Sequence, residues 1–187
     1  TDPADLPGAV AALVSAVAAA WPLTRGAPPV RLLPAVVEYD SLPRGEAGHA
    51  LAIGLSEQDL GPAYLWPATD PHFLVFGDNE SGKTTFLRSV AARIAEAYRP
   101  EQARILLVDY RRSLLGAVPE SHLIGYGTSM SVTANMIAEV ATAMAERLPG
   151  PDVTPDQLRT RSWWRGSDLY VLVDDYDLVA GGSGNPL

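Results

Sequence analysis

With 187 residues the chain has room for one good-sized domain with a real core and a small appendage, and it holds no cysteine, which excludes disulfides and thiolate metal sites and fits a reducing compartment such as the cytosol. Its formal net charge of −8 disfavours nucleic acid as the main partner, because affinity for phosphate backbones calls for a basic face. No apolar run reaches the roughly 18 residues that mark a membrane-spanning helix, and Asp2 and Asp5 stand where a signal peptide would be basic.

The Ala-, Val- and Leu-rich stretch 4–21 predicts a helix, with Asp2 and Asp5 near its positive end. A proline-punctuated segment follows, then extended candidates at 35–39 and 50–55. A loop carrying Gly61, Pro62, Pro67 and Pro71 comes next. Residues 1–60 are therefore expected to form a helix-and-strand extension packed on a core that occupies 61–187. The apolar run "HFLVFG" (72–77) predicts a buried parallel strand, and 84–98 predicts a helix closed by Pro100. Further strands are expected at 103–110, at 122–127 and at 169–176. A second helix is expected over 131–148, with Val132, Met136, Val140 and Met144 as a core-facing stripe. Strands alternating with helices of this length predict an α/β fold, a parallel sheet covered on both faces, with ligands beyond the carboxyl ends of the strands.

Two chemically suggestive segments lie at those ends. Gly77-x4-Gly82-Lys83-Thr84 has the spacing of a phosphate-binding loop, between a predicted strand and a predicted helix, and Lys83 is the only lysine in the chain. Glycines at 77 and 82 let the backbone turn tightly and approach phosphates closely. Backbone N–H groups of Asn79, Glu80, Ser81, Gly82, Lys83 and Thr84 are expected to form an anion nest at the helix start. Lys83 would reach the β- and γ-phosphates, Thr84 would ligate Mg²⁺, and Thr85 would lie under the α-phosphate. The Asp78 and Glu80 side chains are expected to point away from ATP. The strand "YVLVDD" delivers Asp174 to the metal shell and Asp175 to the place of a water-activating base. Aspartate is one methylene shorter than the glutamate common there, and a misplacement of about 1 Å costs roughly a hundredfold in rate, so binding is expected to outlast turnover. His49, His72 and His122 show no metal-ligand spacing. Trp163–Trp164, flanked by Arg161 and Arg165, reads either as a partner surface or as a pair packed on the sheet. Arg111–Arg112 reads either as a neighbour-facing pair or as a solvated turn.

Together "PHFLVFGDNESGKT", "RILLVDYRRSLLG" and "LYVLVDDYDLV", in this order, resemble the last ATPase domain of EccC-type proteins, the FtsK/SpoIIIE-like ATPases of type VII (ESX) secretion. The similarity extends to the approach segment "LAIGLSEQDLGPAYLWPATD". The resemblance implies a RecA-like P-loop fold and one of several tandem ATPase domains on a membrane-anchored chain that forms hexamers at the cytoplasmic face of the plasma membrane. It also implies firm ATP binding with poor hydrolysis, and docking of the C-terminal signal of an EsxA/EsxB-type secreted substrate. By position it makes Gly82, Lys83, Thr84 and Thr85 nucleotide contacts and puts Asp174 in the metal shell. The chain starts without Met and ends in "AGGSGNPL", so both ends read as cuts through a longer polypeptide, and the resemblance implies further core strands after the second acidic motif.

The function expected is thus an ATP·Mg²⁺-binding secretion domain with Lys83 and Asp175 as its catalytic candidates, contacting neighbouring ATPase domains, a membrane-embedded complex and a secreted substrate, and no DNA. The alternative is an FtsK-like DNA translocase motor, which the charge disfavours. A P-loop metabolite kinase would need a lid and an acceptor site, and the sequence offers neither.

Overall fold

A computed structural model of the chain describes residues 5–21, 30–44, 50–181 and 184–187, which leaves His49 and Asp2 outside it. The chain divides into two compact units between Leu33 and Pro34. In the first unit, helix α1 (Leu6–Ala20) starts where the Asp5 carboxylate accepts the Gly8 N–H at 3.0 Å, with Pro7 in the first turn. Both features suit a helix start, where N–H groups lack partners within the helix. No helix among the described residues is long and apolar enough to cross a membrane.

The second unit begins with an extended segment that forms no strand at 35–39. The Ser41 N–H and hydroxyl both turn back to the Glu38 carbonyl, at 3.0 and 2.6 Å, and wind Tyr39–Ser41 into a 3-10 turn. Arg93 secures this turn from below. Its guanidinium, 3% exposed, lies 3.8 Å from the Tyr39 ring centroid, donates to the Tyr39 carbonyl at 2.5 Å and pairs with Glu96 at 3.3 Å. Strands β1 (Leu51–Leu55) and β2 (Pro62–Leu65) then form an antiparallel pair. The second strand occupies the proline-punctuated stretch expected to be loop. Pro62 opens the strand, where a missing N–H costs no ladder bond, and the Asp59 carboxylate closes the turn by accepting the Gly61 N–H at 2.9 Å.

The main sheet has the order β4–β3–β5 and is parallel throughout, with β3 (Ala103–Val108) central, β4 (Leu123–Gly127) on one side and β5 (Asp168–Val173) on the other. Alternation along β3 separates its two faces. Ala103, Ile105 and Leu107 join a buried cluster with Val90, Ala91 and Ile94 of helix α2 (Lys83–Ala97), and Leu51 of β1 belongs to the same cluster. On the other face Leu106 approaches Met136 of helix α3 (Met130–Ala145) across Gly125. A Cβ at Gly125 would lie 2.7 Å from the Met136 methyl, and one at Gly127 would lie 2.5 Å from the Thr133 hydroxyl, so these glycines let α3 approach β4. Helices therefore cover both faces, as the alternation of elements predicts.

Two expectations are corrected. The run 72–76 is extended but joins no ladder among the described residues, and Phe73, Leu74, Val75 and Phe76 are exposed at 55, 68, 39 and 88%. Both edges of β3 are taken by β4 and β5, and 72–76 pairs with neither outer edge of the sheet; ring stacking holds it instead, Phe73 lying on Phe86 of α2 with centroids 5.9 Å apart. The α3 stripe is also less deeply set than its pattern implies: Thr133 is the buried residue of that helix, whereas Val132 is 41% exposed. Short helices α4 (Pro155–Thr160), started by a Thr154/Gln157 capping box, and α5 (Tyr176–Ala180) complete the unit.

Candidate nucleotide site

Parallel strands bring their carboxyl ends to one edge, and the site forms there. The Asp109 N–H donates to the Gly127 carbonyl at 2.9 Å and the Asp174 N–H to the Val108 carbonyl at 2.9 Å, so the residues that follow β3 and β5 emerge side by side. The loop 77–82 enters the same edge and leads directly into α2.

The loop geometry explains its glycines. A Cβ on Gly77 would stand 2.5 Å from the Ser81 hydroxyl oxygen, and Gly82 has φ +91° at the N-cap of α2. Side chains are disfavoured at both points. Glu80 is held at φ 59°, a costly conformation for a residue with a Cβ. Lys83 folds back over the loop, its Nζ donating to the Gly77 carbonyl at 2.8 Å and the Asp78 carbonyl at 2.6 Å. Ser81 N–H turns inward to the Asp78 carbonyl at 3.4 Å. The first-turn amides of α2 lack partners within the helix, as at any helix start. Asn79, Glu80, Ser81 and Thr85 are exposed along this edge.

The acidic half is built differently. Asp174 is 2% exposed, and the Thr84 hydroxyl reaches its Oδ2 at 2.9 Å across 90 residues of sequence. The Asp175 N–H donates to Asp174 Oδ1 at 3.2 Å. Asp175 itself sits at φ 48°, ψ 58° as the N-cap of α5, and its carboxylate pairs with Arg111 Nε at 3.1 Å. Three of the five described non-glycine residues with positive φ, Glu80, Arg112 and Asp175, border this edge, and strain of this kind gathers at functional sites.

Sequence reasoning overlooked Asp109 and Ser113. Asp109 is 1% exposed and accepts four hydrogen bonds: Leu114 N–H at 2.7 Å, the Tyr126 hydroxyl at 2.8 Å, Arg111 N–H at 3.1 Å and the Ser113 hydroxyl at 3.2 Å. Burial pushes the Asp109 carboxyl up, but the bonds from Leu114, Tyr126 and Ser113 outweigh it and leave the group below the ordinary aspartate value. Burial, together with the bond to Asp109, pushes the Tyr126 hydroxyl up to about 12. The available signal was an acid directly after a buried strand, "LLVDY", which parallels "VLVDD".

The remaining candidates lie elsewhere. Trp163 and Trp164 meet edge to face at 5.7 Å, half-buried, with Arg147 and Arg161 guanidiniums 5.6 and 5.5 Å from the Trp164 ring. His122 is a buried structural group bonded to the Tyr98 carbonyl at 2.8 Å. His72 is exposed.

The residues present fit a magnesium nucleotide. The Gly77 position is one that a Cβ would fill, one lysine spans the loop, and a helix-start hydroxyl meets a buried carboxylate. Comparison with known proteins identifies the family. Residues 42–159 match the FtsK/SpoIIIE family. The ESX secretion system protein EccC of Thermomonospora curvata is 50% identical over 162 residues, covering 86% of this chain and 12% of that protein. The ESX-1 protein EccCb1 of Mycobacterium tuberculosis is 41% identical over 172 residues, covering 86% and 29%. The solved cytoplasmic domain of the T. curvata type VII secretion ATPase EccC superposes with a TM-score of 0.82 at 46% identity, over 100% of this chain and 22% of that one. A second structure, T. curvata EccC (ATPases 2 and 3) in complex with a signal sequence peptide, gives a TM-score of 0.79 at 47% identity, over 95% and 32%. The chain thus spans under a third of the length of these relatives.

Proposed function

The chain belongs to the FtsK/SpoIIIE family, and on that premise we propose that it is an ATP·Mg²⁺-binding domain of a type VII (ESX) secretion ATPase, the last in its series, built for nucleotide occupancy with weak or no hydrolysis. The observation that carries this reading is the 2.9 Å contact between Thr84 and Asp174, which joins the phosphate loop's helix to the acidic strand end. Magnesium, when bound in such a site, would neutralise phosphate charge. Thr84 and Asp174 would hold it. The backbone of Gly77, Asn79, Glu80, Ser81 and Gly82, with Lys83 and Thr85, would hold the phosphates.

Slow turnover rests on Asp175. Its side chain is short for a water-activating base, its backbone is in the left-handed region, and its carboxylate is engaged by Arg111. An ion pair whose arginine is 68% exposed contributes only about 0–1 kcal/mol, so Arg111 biases this carboxylate without locking it.

The relatives support a choice of partners. One of them is solved with a signal sequence peptide. The substrate class proposed for this chain is accordingly the C-terminal signal of an EsxA/EsxB-type secreted protein. Neighbouring ATPase domains in a hexamer and a membrane-embedded complex at the cytoplasmic face of the plasma membrane complete the proposed setting. Calorimetric titration of ATP with Mg²⁺, and separately of an EsxB-type C-terminal peptide, tests both functions. Saturable binding of each is expected. Heat-silent titrations at high micromolar ligand would refute the assignment.

A further inference from the structure

The loop after β3 does more than turn the chain. Ser113 stands where three elements meet. Arg88 of α2 donates to its carbonyl at 2.6 Å, and its hydroxyl lies 3.2 Å from Asp109 Oδ1 and 3.1 Å from Asp174 Oδ2. A serine hydroxyl carries one proton, so it donates to one carboxylate at a time. Asp109 already has three other donors, from Leu114, Tyr126 and Arg111. Asp174 Oδ2 has one other, from Thr84, while Oδ1 takes the Asp175 N–H. The unmet demand is at Asp174.

We infer that Ser113 is a positioning residue for Asp174: its hydroxyl, held in place by the Asp109-anchored loop and by Arg88, donates to Oδ2 and fixes the carboxylate in the orientation that serves the metal of a bound magnesium nucleotide. This rests on the nucleotide reading above. Thr84 and Ser113 grip the same oxygen from two different elements, one from the phosphate-loop helix and one from the β3 loop. The carboxylate rotamer is thus set by two elements that the sequence places 29 residues apart. Partners behind a ligand that orient it typically change metal affinity by about 10- to 100-fold when removed.

The test uses the whole chain, Mn²⁺ as the paramagnetic probe, and saturating ATP, with free Mn²⁺ read by electron paramagnetic resonance. ATP affinity is measured in parallel with metal chelated away. Ser113→Ala is expected to weaken Mn²⁺ binding about 10- to 100-fold while leaving metal-free ATP affinity within about twofold. Ser113→Thr, which retains a hydroxyl, is expected to restore the metal affinity. Tyr126→Phe removes a bond to Asp109 without touching Asp174 and is expected to leave the metal affinity unchanged. Equal Mn²⁺ affinity in Ser113→Ala and the unaltered chain overturns the inference alone. So does a loss in Tyr126→Phe as large as that in Ser113→Ala, which would mean general loosening of the loop. Failure of the unaltered chain to bind ATP at all overturns the nucleotide reading and this inference together.

Discussion

The two halves of the candidate site are made by opposite means. The phosphate-loop half, 77–83, is an exposed stretch of backbone whose shape depends on two glycines and one lysine, all close together in sequence. The acidic half is centred on two buried carboxylates, Asp109 and Asp174, which stand just after two different strands and are joined by the exposed Ser113. A loop that works through its own amides can be altered with little effect on folding. A buried carboxylate network cannot, because each lost acceptor strands donors that water no longer reaches.

Lys83→Ala should break the comparison most clearly. ATP affinity should fall by more than about 1,000-fold, roughly 4 kcal/mol, with the melting temperature almost unchanged. Calorimetry and thermal melts together check this. Asp109→Ala should do the reverse and destabilise the fold by about 2–4 kcal/mol in urea titration, because four donors lose their acceptor.

The same carboxylate sets a pH signature. Its folded-state value lies below the ordinary 3.8, so its contribution to stability is complete above that value and fades as pH falls through the lower, folded one. Acid-unfolding curves should lose part of their slope in Asp109→Ala. Tyr126 acts at the other extreme. Its value is raised from 10.0 to about 12, so its contribution is intact below pH 10 and lost as pH climbs toward 12.

Smaller effects refine the acidic half. Asp175→Glu, which adds the missing methylene, should raise phosphate release by about tenfold if reach is what limits turnover. Arg111→Ala should change stability by less than about 1 kcal/mol, as expected for an exposed ion pair, and leave ATP affinity unchanged by calorimetry.

This division also governs what the sequence reveals. Gly77, Gly82, Lys83, Thr84 and the pair Asp174–Asp175 are legible because their chemistry depends on local spacing and on the ends of hydrophobic strands. The parallel sheet and its two long helices are legible from periodicity, with ends displaced by one to three residues. Asp109 and Ser113 are not, since their roles arise only when β3 lies beside β4, which brings Tyr126 to Asp109, and beside β5, which brings Asp174 to Ser113. The strand β2 hides behind Gly61 and Pro62, residues that usually signal a loop but are tolerated at a strand's first position. The run 72–76 shows the converse. An apolar pattern marks a segment able to pair, but where the chain carries it decides the partner, and here Phe73 meets the Phe86 ring of α2 rather than an edge of the sheet.

The central claim is that this site holds ATP without readily spending it. Phosphate release by the chain at ATP and Mg²⁺ concentrations that calorimetry shows to be saturating tests it most directly. The account predicts near-background turnover with the site full, whereas brisk release at saturation would contradict it.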